Sequence, residues 1–150
     1  MSKIIYKRVT TASELDELES LSASFEGHQF AYSKDDTQEF KEKLKRPHAF
    51  QVFVRNEENK LIGFISATEN LFPGFMFLDE TLIDAAYQGQ GIGKSLLKQL
   101  IDFARTEKLH GVYTETEEWN IPAQKFYESA KFEKVENKDW TGGPTFKYEF

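Results

Sequence analysis

One hundred and fifty residues, 39% of them hydrophobic and 14 of them phenylalanine, suffice for one compact core; they exclude a second comfortable domain and a disordered chain. The chain has no cysteine, which excludes disulfides, thiolate nucleophiles and cysteine-zinc sites; with no apolar run near the roughly 20 residues of a membrane span and no secretion signal at the N-terminus, a cytoplasmic setting is expected. A net charge of −6 argues against a nucleic-acid partner and leans towards a cationic one, although solubility alone accounts for such a charge.

In chain order, IIYKRV reads as a first strand. Thr11 to Glu14 is a capping box, predicting a helix with Leu15, Leu18 and Leu21 on one face, broken at Gly27. Ser33 to Asp36 opens a second helix carrying Phe40 and Leu44, stopped by Pro47. AFQVFVR places Phe50, Val52 and Val54 on one strand face; the turn NEENK leads to LIGFISATEN, and FPG to the strand FMFLDETLID, Phe75 to Asp84. A helix follows with Leu96, Leu97, Leu100, Ile101 and Ala104 inward, then the buried strand GVYTET, and a short helix capped by Asn120 with Pro122 in its first turn. KFEKVE and TFKYEF close the chain as strands. Residues 1–150 form one domain of α/β or α+β class around a mixed sheet.

The segment YQGQGIGKSLL, from Tyr87 to Leu97, holds the information about function. A nucleotide-binding P-loop needs glycine five residues before Gly93-Lys94-Ser95, and that position is Gln88. A dinucleotide fingerprint counted from Gly89 and Gly91 needs its third glycine at Lys94. Both templates fail. What stays is a strand running into a glycine-rich turn that opens a helix, a geometry that aims backbone N–H groups and the positive helix end at an anion.

LDETLIDAAYQGQGIGKSLL resembles the acetyl-coenzyme A signature of the GNAT superfamily of N-acetyltransferases, Q/R-x-x-G-x-G/A after a strand, with Gln88, Gly91 and Gly93 at its fixed positions. ETEEWNIPAQKFYESAKF, Glu115 to Phe132, matches the later family pattern of strand, Asn, and a helix carrying Phe-Tyr. Its Glu-Trp-Asn and Phe-Tyr pairs are similar to polyamine-type acetyltransferases, and GVYTETEEWN to streptothricin-type ones. The likeness covers roughly residues 50–150; residues 1–48 match only in element order. Two positions depart from the pattern: Ala85-Ala86 stands where Pro-Glu is common, and Lys131 where a glycine of positive φ is usual.

The resemblance implies a GNAT-like single domain with a mostly antiparallel, splayed sheet flanked by helices, and acetyl-CoA as co-substrate. It implies a pyrophosphate cradle from Gln88, Gly89, Gln90, Gly91, Ile92, Gly93, Lys94 and Ser95. Pairing of the pantetheine arm falls to the backbone from Leu82 and Ile83 to Ala85, with help from Asn120, whose plainer role is the helix cap. Lys94 and Lys98 are placed to meet coenzyme phosphates or simply to face solvent. Transfer to an amine needs a base, since a primary amine has a pKa near about 10, and an acid for the departing thiolate. The resemblance assigns the acid to Tyr127. Glu80 is the candidate base, with Asp79 expected on the opposite strand face by alternation; a structural ion pair is the alternative for Glu80. Glu118, Trp119 and His28 are the candidate acceptor contacts, with Glu117 interchangeable with Glu118, and Trp140, Phe72 and Phe75 further aromatic wall residues. His28, His48 and His110 lack metal-ligand spacing, so no metal is expected.

Three function classes are open at this point: transfer to a small, cationic primary amine, transfer to protein lysines or N-termini, and a non-catalytic acetyl-CoA-binding module. A homodimer is compatible with all three, and no membrane partner is expected.

Overall fold

The computed structural model describes residues 3–25, 28–69, 74–137 and 142–150. The chain runs β1 (Ile5–Arg8), a 3₁₀ segment (Ala12–Ser20), β2 (Ser22–Phe25), β3 (His28–Ala31), α1 (Lys34–Leu44), β4 (Phe50–Arg55), β5 (Leu61–Glu69) and β6 (Phe75–Ile83). A 3₁₀ turn (Ala85–Tyr87) leads to α2 (Ile92–Thr106), β7 (Gly111–Glu115), α3 (Ile121–Ser129), β8 (Glu133–Val135) and β9 (Thr145–Glu149). Seven strands form one sheet in the order β1-β4-β5-β6-β7-β9-β8, antiparallel except where β6 runs parallel to β7.

Alternation along β4 buries the two sheet faces separately. Phe50, Val52 and Val54 pack with Leu96, Leu97 and Leu100 of α2 on one face. Phe53, Phe64 and Leu82 pack with Phe40 of α1 and with Leu15, Leu18 and Leu21 on the other. Among the described residues no helix is long and apolar enough to cross a membrane.

The N-terminal part differs from expectation. Glu14 does accept from the Thr11 N–H at 3.0 Å and from its hydroxyl at 2.9 Å. The segment it opens is 3₁₀ rather than α, and it ends at Ser20. The three leucines recur every third residue, which is the 3₁₀ repeat rather than the 3.6-residue α repeat. The following residues pair as a β2–β3 hairpin, Ser22 opposite Ala31, where a helix end and loop were expected.

Two local features shape the site. Lys131 ends α3 in the left-handed region at φ 70°, where glycine is the unstrained choice. Phe132 N–H returns to Tyr127 O at 3.0 Å and Lys131 N–H to Glu128 O at 3.0 Å, a complete Schellman cap despite the missing glycine. In β6, Leu78 lies opposite Ala67 and Glu80 opposite Ser66, so Asp79 is an extra residue without a partner of its own. This β-bulge breaks alternation: Asp79 and Glu80 both line the pocket on the α1 side of the sheet, which corrects the expectation that they face opposite ways.

Candidate active site

β7 accompanies β6 only from Phe75 to Leu78. Beyond that point β6 continues to Ile83 with its β7-facing edge open, and a cavity of about 1000 Å³ fills the gap between the strands. At the end of β6 the Asp84 carboxylate accepts from Ala86 N–H at 2.9 Å and so caps the 3₁₀ turn. Gln88 Nε2 then donates to the Ile83 carbonyl at 3.0 Å, tying the turn back to the strand. Gly89 and Gly91 have φ of 79° and 84°, and a Cβ on either would meet no protein atom within 4 Å. Glycine is needed there for the backbone and not for packing, and the space above both is the cavity. The N–H groups of Ile92, Gly93 and Lys94 open α2, where helix geometry offers them no partner. A positive helix end with open donors, beside a free strand edge, fits a pyrophosphate joined to an amide chain.

Of the expected coenzyme contacts, Leu82, Ile83, Gln88, Gly89, Gly91, Ile92, Gly93, Lys94 and Asn120 line this cavity. Ala85, Gln90 and Ser95 do not. Ala85 belongs to the 3₁₀ turn, and the exposed Gln90 side chain folds back on the Ala86 carbonyl at 3.5 Å. Ser95 N–H already bonds Gly91 O at 3.0 Å, which leaves only its hydroxyl as a donor. Asn120 Oδ1 accepts from Ala123 N–H at 3.2 Å, which makes it the cap of α3 as well as a wall residue. Lys98 points along α2 to Asp102 at 3.0 Å.

Tyr127, held on α3 among Phe126, Phe132 and Phe146, is only 7% exposed. Burial and the nearby Glu80 charge push its hydroxyl up to about 12, against the opposing pull of Thr114 and Thr81 hydroxyls. Thr114 donates its own proton to Leu78 O at 2.8 Å, leaving its oxygen to accept. Glu80 lines the same cavity. Burial, then the adjacent Asp79, raise its carboxyl to about 7, while Thr81 N–H and Lys43 pull it down.

A second pocket of about 450 Å³ lies across β6, on the α1 side. Phe77, Asp79, Glu80 and Leu82 line both cavities and form the wall between them. The rest of the second pocket comes from Ala31 and Tyr32 and from Asp36, Glu39, Phe40 and Lys43 of α1. Lys43 is ion-paired to Asp79 and lies 3.3 Å from Glu39. Burial, then the charges of Glu80, Asp79 and Asp36, drive the Tyr32 hydroxyl far above its ordinary range.

The structure brings only some of the acceptor contacts expected from sequence to a cavity. Trp119 lines the larger cavity beside Asn120, not the α1-side pocket. Glu118 lines neither: its backbone is taken by Gly142 and Gln124, while Glu115 and Glu117 face the larger cavity. Phe75 packs on His110 at 6.0 Å, away from both cavities. The side chain of His28, and all of Trp140 and Phe72, lie outside the described residues. Sequence reading missed Tyr32, Asp36, Glu39 and Lys43. Their helical spacing along α1 puts Asp36, Glu39 and Lys43 on one face with Phe40, which was the available signal.

The profile described as "Acetyltransferase (GNAT) family" matches residues 14–132, and the chain belongs to that family, whose co-substrate is acetyl-coenzyme A. It is 36% identical over 98 residues to the N-alpha-acetyltransferase RimI of Mycobacterium tuberculosis, a match spanning 64% of this chain and 60% of the relative's length. It is 34% identical over 110 residues to the spermine/spermidine N(1)-acetyltransferase of Bacillus subtilis, covering 67% and 71% of the two chains. Among solved structures, the PaiA N-acetyltransferase of Thermoplasma acidophilum, in complex with coenzyme A, superposes with a TM-score of 0.75 at 14% identity over 99% of both chains.

Proposed function

We propose that this protein transfers the acetyl group of acetyl-coenzyme A to a primary amine of a small cationic molecule, in a ternary complex. The observation that carries this reading is the shared wall: a cavity fit for the coenzyme and an acid-lined pocket meet at Glu80. Among the described residues, the α1-side pocket sets four carboxylates, Asp36, Glu39, Asp79 and Glu80, against the single ammonium of Lys43. Its volume of about 450 Å³ suits a small molecule. A cytoplasmic setting accords with the cysteine-free chain.

Bound acetyl-coenzyme A supplies the thioester and, as it reacts, a thiolate that needs a proton. Glu80 is the base that takes the amine's excess proton; near 7 its carboxylate is both available at neutral pH and basic enough to accept. Tyr127 Oη holds the proton for the sulfur, and a hydroxyl at about 12 stays protonated throughout the working range. The glycine turn orients the phosphates, and the free edge of β6 aligns the amide arm.

Acetylation of a protein N-terminus is a second reading, favoured by the 36% identity to RimI. Thiol release from acetyl-coenzyme A, measured with spermidine, streptothricin, an aminoglycoside, amino acids and an N-terminal peptide, separates the two. Turnover of one or more small cationic amines is expected. Turnover of the peptide alone overturns the reading.

A further inference from the structure

Lys43 is a costly residue. It stands in the last turn of α1, its side chain is 14% exposed, and it reaches down to an aspartate whose side chain is 8% exposed. A buried ion pair of this kind is a poor stabiliser, because desolvation offsets most of the attraction. The aspartate is the bulge residue Asp79, immediately before Glu80 and on the same side of the sheet. One Asp79 oxygen is held by Lys43, and the Ser66 hydroxyl adds to the support of the carboxylate.

We propose that Lys43 is a positioning residue that sets the pH at which Glu80 becomes free to act as a base. The inference rests on the reading of Glu80 as the base. Two neighbouring buried carboxylates without a counter-ion share one proton and hold it to high pH. Lys43 removes that obstacle. Burial raises the Asp79 carboxyl, and the Lys43 ammonium pulls it back down and compensates its charge, so that Glu80 is the carboxyl left holding the last proton. Among the described residues, the other charged and titratable groups around Glu80 are Asp36 and Glu39 of α1, Tyr32, Tyr127 of α3, and, across the larger cavity, Tyr87, Lys94 of α2, Glu115 and Glu117. Asp36 adds repulsion, which acts against Lys43. Among the described residues, Lys43 is the one cation lining the α1-side pocket. The bulge brings two acids together, and the helix delivers one ammonium to the first of them.

The test is a ¹³C NMR titration of the free protein, labelled at its aspartate and glutamate carboxyls, with Asp79→Asn and Glu80→Gln for assignment. Lys43→Met is expected to raise the upper ionisation of the Asp79–Glu80 pair by roughly one pH unit or more. Lys43→Arg, which keeps the charge, is expected to return it close to the native position. Asp79→Asn is expected to lower the Glu80 midpoint by a similar amount, since it removes a like charge and leaves Lys43 unpaired. A Lys43→Met titration that superimposes on the native one overturns the proposal. Should that variant not fold, an Asp79→Asn midpoint that stays or rises overturns it. The base reading is checked separately: if Glu80→Gln keeps the native acid limb of acetyl transfer, that reading fails while the titration still judges the Lys43 proposal.

Discussion

Tyr127 keeps its proton because its ring is packed among three phenylalanines and its hydroxyl sits near the Glu80 charge. Tyr127→Phe preserves that packing and removes only the donor. Its kcat should fall by about 10²–10⁴ with coenzyme affinity nearly intact, as checked by pre-steady-state turnover and calorimetry. Full turnover where chemistry limits the rate would remove Tyr127 from the mechanism. Glu80 carries a prediction about stability. Its carboxyl stands at about 7 in the fold against an ordinary 4.5. Below 4.5 the carboxyl is neutral in both states and costs nothing. Between those values the folded protein holds a proton that the unfolded chain has lost, so stability falls as pH rises. Above about 7 the fold bears a buried charge costing up to roughly 3 kcal/mol. Glu80→Gln should therefore melt higher than the native protein at pH about 8, with the gap closing as pH falls towards 4.5. A gap that is the same at both ends rules out the raised carboxyl.

At the scale of elements, the turn between β6 and α2 makes the sharpest claim. Gly91 precedes α2 at φ 84°, and nothing in the protein stands where its Cβ would go. Gly91→Val strains the backbone by about 1–2 kcal/mol, which a domain of this size survives, and it puts a branched side chain into the anion's place. Calorimetry should find acetyl-coenzyme A binding lost while circular dichroism stays native; retained affinity in the folded variant would refute the cradle. This turn was legible in the sequence because glycine spacing reports backbone directly. The leucines of the N-terminal segment were legible as a buried stripe, and Leu15, Leu18 and Leu21 are all buried. Their spacing of three predicts one face of a helix, and it is the 3₁₀ repeat itself that sets the helix type. The bulge at Asp79 left no trace in the composition of FMFLDETLID, because an extra residue in a strand is set by its pairing with β5.

For the molecule as a whole, the proposed coenzyme side of the site was carried by contiguous motifs, while the proposed acceptor side is assembled across the sheet. Tyr32, α1 and β6 meet only in three dimensions, so Asp36, Glu39 and Lys43 read as a solvated helix face until the sheet brings them to Glu80. What the sequence did show is the sign of the field. The chain carries a net charge of −6, and among the described residues four carboxylates and one ammonium line the α1-side pocket. A protonated amine approaching such a pocket is drawn in, and the attraction weakens as salt shortens the screening length from about 30 Å at 0.01 M to about 8 Å at 0.15 M. For a polycationic acceptor, kcat/KM should therefore fall across that range, mostly through KM, with kcat at saturation little changed. The same field holds the amine in its unreactive, protonated form, so steering is useful only with a base at the pocket's inner wall, where Glu80 lies. Neutralising the outer acids with Asp36→Asn and Glu39→Gln should flatten the salt dependence and leave the acid limb of the pH profile in place to within about one pH unit. The two readouts divide the pocket into a steering rim and a reacting wall. A native kcat/KM that ignores ionic strength, measured with the best cationic acceptor, would show that the acids of α1 do not guide the substrate.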